Sequence, residues 1–183
     1  ILRETGNRLG GRIGIHDMPF WKSFEIDTVE DLAFCERVFQ WKLGWKHRFC
    51  MPAVDLLVMD FDGVMTDNRV ALDETGRESV VCNRADGLGV NMLREAGMEL
   101  LILSTERNPV VQARADKLNV PCAHGVEDKA DFLTSFCRER GIALERVAFV
   151  GNDVNDVPAM SLVGLAVAPV DAYPEAKGAA TFV

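Results

Sequence analysis

The stretch Leu56–Asp67, LLVMDFDGVMTD, runs apolar residues into three carboxylates and a glycine. Acids in that position either finish a solvated turn or bring negative oxygens to a cation and a reacting group. Three later stretches carry groups that fit the second role. LLILSTER ends in Ser104 and Thr105, hydroxyls able to hold an anionic oxygen; Lys129 opens a helix after a short strand; RVAFVGNDVND ends in Asn152, Asp153 and Asp156. Oxygen ligands with one lysine suit a hard cation such as Mg²⁺ together with a phosphate group. Each piece alone reads as a turn, a cap or a surface cation. Found in order, each at the end of its own strand, they point to one site.

The elements that would position these groups are legible from Val54 onward. VDLLVMD, MELLILS, VPCAH, RVAFVG and LAVAP are short apolar runs of strand type. Between them, DGLGVNMLREAG, NPVVQARADKLN, EDKADFLTSFCRERG and DVPAMSLVG read as helices, the first stopping at Gly97 and the second carrying Pro109 in its first turn. RVALD and ESVVCN, separated by ETGR, read as a hairpin. Alternating strands and helices, with the strands apolar throughout, predict a Rossmann-like parallel sheet covered by helices on both faces. Ligands in such sheets bind outside the carboxyl ends of the strands, where Asp60 falls. Asp62, two positions on, is expected to project to the same side as Asp60. Gly63 permits the turn away.

Residues 1–50 have a different texture and are read as an appendage, with Met51–Pro52 as the joint to a domain over 51–183. All three tryptophans fall in this first part, and Asp27 with Glu30 three positions on has capping-box spacing for a helix. The chain opens on Ile1 without a secretory signal, and is read as part of a longer polypeptide.

Composition narrows the function classes. A chain of 183 residues that is 48% hydrophobic and 26% charged can build a globular core. A net charge of −8 disfavours a nucleic-acid groove, which needs clustered cations. Its longest apolar runs are far too short to span a bilayer as a helix. Cys35, Cys50, Cys82, Cys122 and Cys137 are odd in number and never form a CxxC pair, which predicts free thiols in a reducing cytosol. His16, His47 and His124 are isolated and read as surface or packing residues.

DFDGVMTD, LILSTER, EDK and GNDVND resemble the four motifs of the haloacid dehalogenase superfamily of phosphohydrolases. The DFDGVMTD start, the following hairpin and DGLGVNMLREAG are similar to its capless branch. That branch holds phosphatases of octulosonate 8-phosphates and nonulosonate 9-phosphates, and the phosphatase-like domains of acylneuraminate cytidylyltransferases. GGRIGIHDMP followed by EIDTVEDL resembles the carboxyl-terminal segment of such a cytidylyltransferase. The resemblance implies a capless fold with a β-hairpin insertion and a Mg²⁺-dependent phosphomonoesterase acting on a sugar acid phosphate through an aspartyl-phosphate. Asp60 would be the nucleophile, Asp62 the acid and base, and Thr105 and Lys129 the phosphoryl-holding groups. Asp60, Asp62 and the loop of Asn152 and Asp153 would hold the metal, with either Asn152 or Asp153 as direct ligand and Asp156 behind them, orienting water or Lys129. Asp86, Gly87, Arg107 and Lys117 would face the substrate; Arg107 resembles the octulosonate type and Lys117 the nonulosonate type. Residues 69–82 are expected to assemble a homotetramer. Two other roles compete: an assembly domain without turnover, and a receiver-type signalling domain carrying a stable phospho-aspartate.

Overall fold

The computed structural model describes residues 53–183 and, before them, Thr28, Glu30, Asp31, Ala33, Phe34, Cys35 and Arg37. The chain falls into two units, Ile1–Cys50 and Met51–Val183. In the first, Thr28 and Asp31 cap each other reciprocally. The Asp31 N–H donates to Thr28 Oγ1 at 3.1 Å and the Thr28 N–H to Asp31 Oδ2 at 2.9 Å. The Thr28–Asp31 pair has capping-box spacing. Asp27, Cys50, His16 and His47 lie outside the described residues.

The second unit is an α/β sandwich. Its strands are β1 (Leu56–Met59), β2 (Ala71–Leu72), β3 (Glu78–Ser79), β4 (Glu99–Leu103), β5 (Cys122–Ala123), β6 (Val147–Val150) and β7 (Leu165–Val167). Its helices are α1 (Ala85–Glu95), α2 (Val110–Leu118), α3 (Lys129–Arg140), α4 (Val157–Met160) and α5 (Pro174–Ala179). Five strands pair in parallel in the order β5-β4-β1-β6-β7. The chain winds outward from β1 through β4 to β5, then returns to β6 on the other side. The crevice at this reversal opens at the carboxyl ends of β1 and β6.

Strand alternation explains why continuous apolar sequence was needed. Leu56, Val58, Leu101, Leu103, Val147 and Phe149 point to one face and pack with Leu133 and Cys137 of α3, Met160 of α4 and Ala176 of α5. Met59, Leu100 and Ile102 point to the other and pack with Val90 of α1 and Val111, Ala115 and Leu118 of α2. Full burial of a Leu or Phe side chain contributes roughly 1.5–3 kcal/mol, so a polar residue on either face of β1 or β4 would be strongly destabilising.

The hairpin forms, but with only two residues per strand, Ala71 opposite Ser79 and Leu72 opposite Glu78. Its turn is held by Asp73, whose Oδ1 accepts from the Thr75 and Arg77 N–H groups at 2.9 Å each. Two features had no expectation attached: α5, and a parallel bridge from Val167 to Phe182 that extends the sheet beyond β7. No helix among the described residues is long and apolar enough to cross a membrane.

Candidate active site

Pairing with β6 continues one residue past β1, since the Asp60 N–H donates to Val150 O at 2.9 Å. The chain then turns sharply, the Met65 N–H donating to Phe61 O at 2.8 Å. Asp62 therefore reaches the site by a turn, not by strand alternation. Gly63 has φ +78°, and a Cβ there would lie 1.9 Å from Asn152 Nδ2. Both the left-handed backbone and the contact with the loop after β6 require glycine.

Lys129 is the first residue of α3, which Asp128 caps by accepting from the Asp131 N–H at 2.9 Å. An ammonium at a helix amino terminus opposes the helix dipole and, being only 2% exposed, has lost its water. Two carboxylates offset this. Lys129 Nζ lies 2.7 Å from Asp60 Oδ1 and 2.6 Å from Asp156 Oδ1. The second oxygen of Asp156, a fully buried residue, accepts from the Asn152 and Asp153 N–H groups at 2.9 and 3.1 Å. Asp156 thus orients Lys129 and braces the β6 loop together. A Cβ on Gly151 would stand 2.6 Å from Asp156 Cβ, so glycine there makes room for the brace.

Burial pushes the Asp60 carboxyl up to about 7, against the pull of Lys129 and with a further push from Asp156. The Asp62 carboxyl is also raised, first by burial and then by Glu106, with Lys129 pulling down and Glu78 pushing up. Proton affinity is therefore elevated at both motif acids, the pattern found where carboxylates do chemistry.

The two hydroxyls after β4 have separate fates. Ser104 is buried and its Oγ accepts from the Glu106 N–H at 3.1 Å, serving the turn. Thr105 is half-buried and receives a hydrogen bond from Asn155 Nδ2 at 3.3 Å. Because β4 and β6 flank β1, this contact crosses above the end of the strand that carries Asp60. Asn155 went unassigned at the sequence level; its only signal was its place beside Asp156 in the same loop.

Asn152 is buried and its Oδ1 has no hydrogen-bond partner. An orphaned buried acceptor is costly unless something occupies it. Asp153 differs: half-buried, its carboxylate caps the turn by accepting from the Val154 N–H. No three His, Cys, Asp or Glu side chains cluster as a metal cage among the described residues. The donors near Asp60 instead mix a carboxylate with an amide, the kind of sparse oxygen set that leaves Mg²⁺ its waters and phosphate oxygens.

The residues expected to face substrate lie further out. Asp86 pairs with Arg114 at 3.2 Å, and Gly87 sits over Leu118. Asp86 also lines an open groove of about 660 Å³ with Thr66, Asp67, Cys82 and Arg84. Arg107 makes an exposed ion pair with Glu127 at 2.6 Å. Lys117 is exposed in the last turn of α2.

The fold and the buried Asp60–Lys129–Asp156 cluster at its switch point define a parallel α/β protein of the doubly wound class. The haloacid dehalogenase-like hydrolase family matches residues 120–183. A protein assigned to the HAD hydrolase family from Streptomyces avermitilis is 53% identical, with a TM-score of 0.70 over 72% of this chain and 75% of its own. The chain belongs to the haloacid dehalogenase-like hydrolase family. Within that family it is similar to the 3-deoxy-D-manno-octulosonate 8-phosphate phosphatase of Moraxella catarrhalis, whose structure holds magnesium, phosphate and KDO. That similarity is 25% identity and a TM-score of 0.68, over 71% of this chain and 75% of that one. It is also 30% identical to N-acylneuraminate cytidylyltransferase A of Danio rerio along 93% of its length, while spanning only 40% of that protein.

Proposed function

We propose that the unit from Met51 onward is a Mg²⁺-dependent phosphomonoesterase acting on a sugar acid phosphate, a nonulosonate 9-phosphate or an octulosonate 8-phosphate. The observation that carries this reading is the buried pairing of Asp60 with Lys129, braced by Asp156, at the β1–β6 switch point. Asp60 Oδ attacks phosphorus, and the phosphorus–oxygen bond to the sugar breaks. Asp62 gives its proton to the departing sugar oxygen. It then takes a proton from the water whose oxygen attacks the aspartyl-phosphate, releasing phosphate and regenerating Asp60. Lys129 and Thr105 hold phosphoryl oxygens in place during both displacements. Asp60, the Asp62 carbonyl and Asn152 Oδ1 would hold the cation, with Asp153 beside them. When bound, it would neutralise the charge that otherwise keeps a carboxylate from approaching a phosphate. Asp86, Gly87, Arg107 and Lys117 remain our candidates for contacts to the sugar.

A second reading has its own support. Similarity to a cytidylyltransferase runs through nearly the whole chain, which supports reading residues 1–50 as the end of such an enzyme and the later unit as serving its assembly alone. We favour a cytosolic protein whose copies form a tetramer through residues 69–82. That hairpin carries Val70, Leu72 and Val81 more than half exposed. A phosphate-release assay with eight- and nine-carbon sugar acid phosphates separates the two readings. Release that needs Mg²⁺ and is lost in Asp60→Asn supports the hydrolase; release no greater than that of Asp60→Asn leaves the assembly role. A phosphorylated Asp60 that persists without release would instead mark a signalling domain.

A further inference from the structure

We infer that Asn155 is a positioning residue that restricts the direction of the Thr105 hydroxyl proton. The inference rests on the hydrolase reading, in which Thr105 holds a phosphoryl oxygen. An amide nitrogen can only donate, and Asn155 Nδ2 lies 3.3 Å from Thr105 Oγ1. The hydroxyl has one proton and two lone pairs. With one lone pair held by Asn155, the proton is confined to the two remaining tetrahedral positions and is kept from pointing at the loop after β6. A hydroxyl restricted this way needs less reorientation when the anion arrives, the property that makes a donor effective in a transition state.

Local folding does not need the Asn155 side chain. The one-turn helix Val154–Asp156 is closed by Asp153 and Asp156, whose side chains cap it reciprocally. Asn155 itself is exposed, so its removal leaves no cavity. Its amide instead reaches a residue 50 positions away, joining the loop after β4 to the loop after β6.

The test is a double-mutant cycle on the full chain with Mg²⁺, read both as kcat/KM on a phosphomonoester and as the affinity for inorganic phosphate by calorimetry. Asn155→Ala should lower kcat/KM by about tenfold with an unchanged melting temperature. Thr105→Val should lower it by more, and adding Asn155→Ala to Thr105→Val should change it by less than about twofold, because nothing remains to orient. Asn155→Asp should be worse than Asn155→Ala, since a carboxylate would accept the Thr105 proton and turn it away from the phosphate. Multiplying losses in the double variant, or an Asn155→Asp enzyme better than Asn155→Ala, would overturn the inference while leaving the hydrolase reading intact. If no phosphomonoester is turned over, the hydrolase reading fails. The inference then stands only if phosphate affinity shows the same non-additive pattern, and is overturned if Asn155→Ala binds phosphate as the parent does.

Discussion

Lys129 and Asp156 are joined at 2.6 Å with almost no exposure to solvent, although 27 positions separate them in the chain. The ammonium is thereby held where Asp60 can reach it. Asp156 reaches no substrate in this arrangement, yet it sets the geometry of the lysine and of two backbone N–H groups.

Removing that brace should act on stability and rate together. Asp156→Ala leaves Lys129 half-paired and one buried and one part-buried N–H group without acceptors, which predicts a loss of roughly 3–5 kcal/mol in urea unfolding. Phosphate release should fall at least a hundredfold. Near-parent stability would show that the brace is not needed.

Metal affinity should track Asn152 more than Asp153. Asn152→Ala is expected to weaken Mg²⁺ binding by about tenfold or more, whereas Asp153→Ala should do less, because its carboxylate is engaged in capping. Asn152→Asp adds charge to the oxygen set and should tighten binding. Calorimetric titration with Mg²⁺ checks all three, and equal losses in the two alanine variants would return Asp153 to direct ligation.

Gly63→Ala should mimic the loss of Asn152. A Cβ placed 1.9 Å from Asn152 Nδ2 on a backbone with φ +78° must displace the amide or the turn. The expected result is weakened Mg²⁺ binding with a stability loss of roughly 1 kcal/mol or more. A variant that binds Mg²⁺ as the parent does would break the link between the two loops.

The buried Asp60 gives a pH signature in the presence of chelator. Its carboxyl rises from the ordinary 3.8 up to about 7 on folding, so the folded chain holds a proton that the unfolded chain releases over that interval. The resulting stability is fully present below 3.8 and is lost as pH rises through 7. Melting temperature against pH should therefore fall more steeply for the parent than for Asp60→Asn between pH 4 and 7; parallel curves would remove the effect.

Apolar exposure on the hairpin predicts assembly. Leu72 is 66% and Val81 74% exposed, and Leu88 and Met92 on α1 are similarly open. Leu72→Glu with Val81→Glu should lower the sedimenting mass of the chain without unfolding it. A parent that already sediments as a monomer would exclude the tetramer.

Much of this architecture could be read from the chain alone. Strands buried on both faces must be apolar along their buried length, so β1, β4 and β6 announce themselves, and the polar groups beyond them fall at the carboxyl rim of the sheet. The places of Asp60, Thr105 and Asn152 beyond these strands, and of Lys129 at the start of α3, were therefore legible from local pattern, as was Gly97 at the end of α1, where φ is +82°. Hairpin strands were legible in place but not in length, because two-residue pairing depends on the Asp73 turn and not on periodicity. Only the tertiary structure decided that Asp156 braces Lys129, that Arg114 takes Asp86, that Asn152 Oδ1 is left without a partner and that Asn155 reaches Thr105. The reason is physical. Periodicity reports which face of an element is buried, whereas those pairings depend on which strands become neighbours and on how far a turn carries a side chain across them.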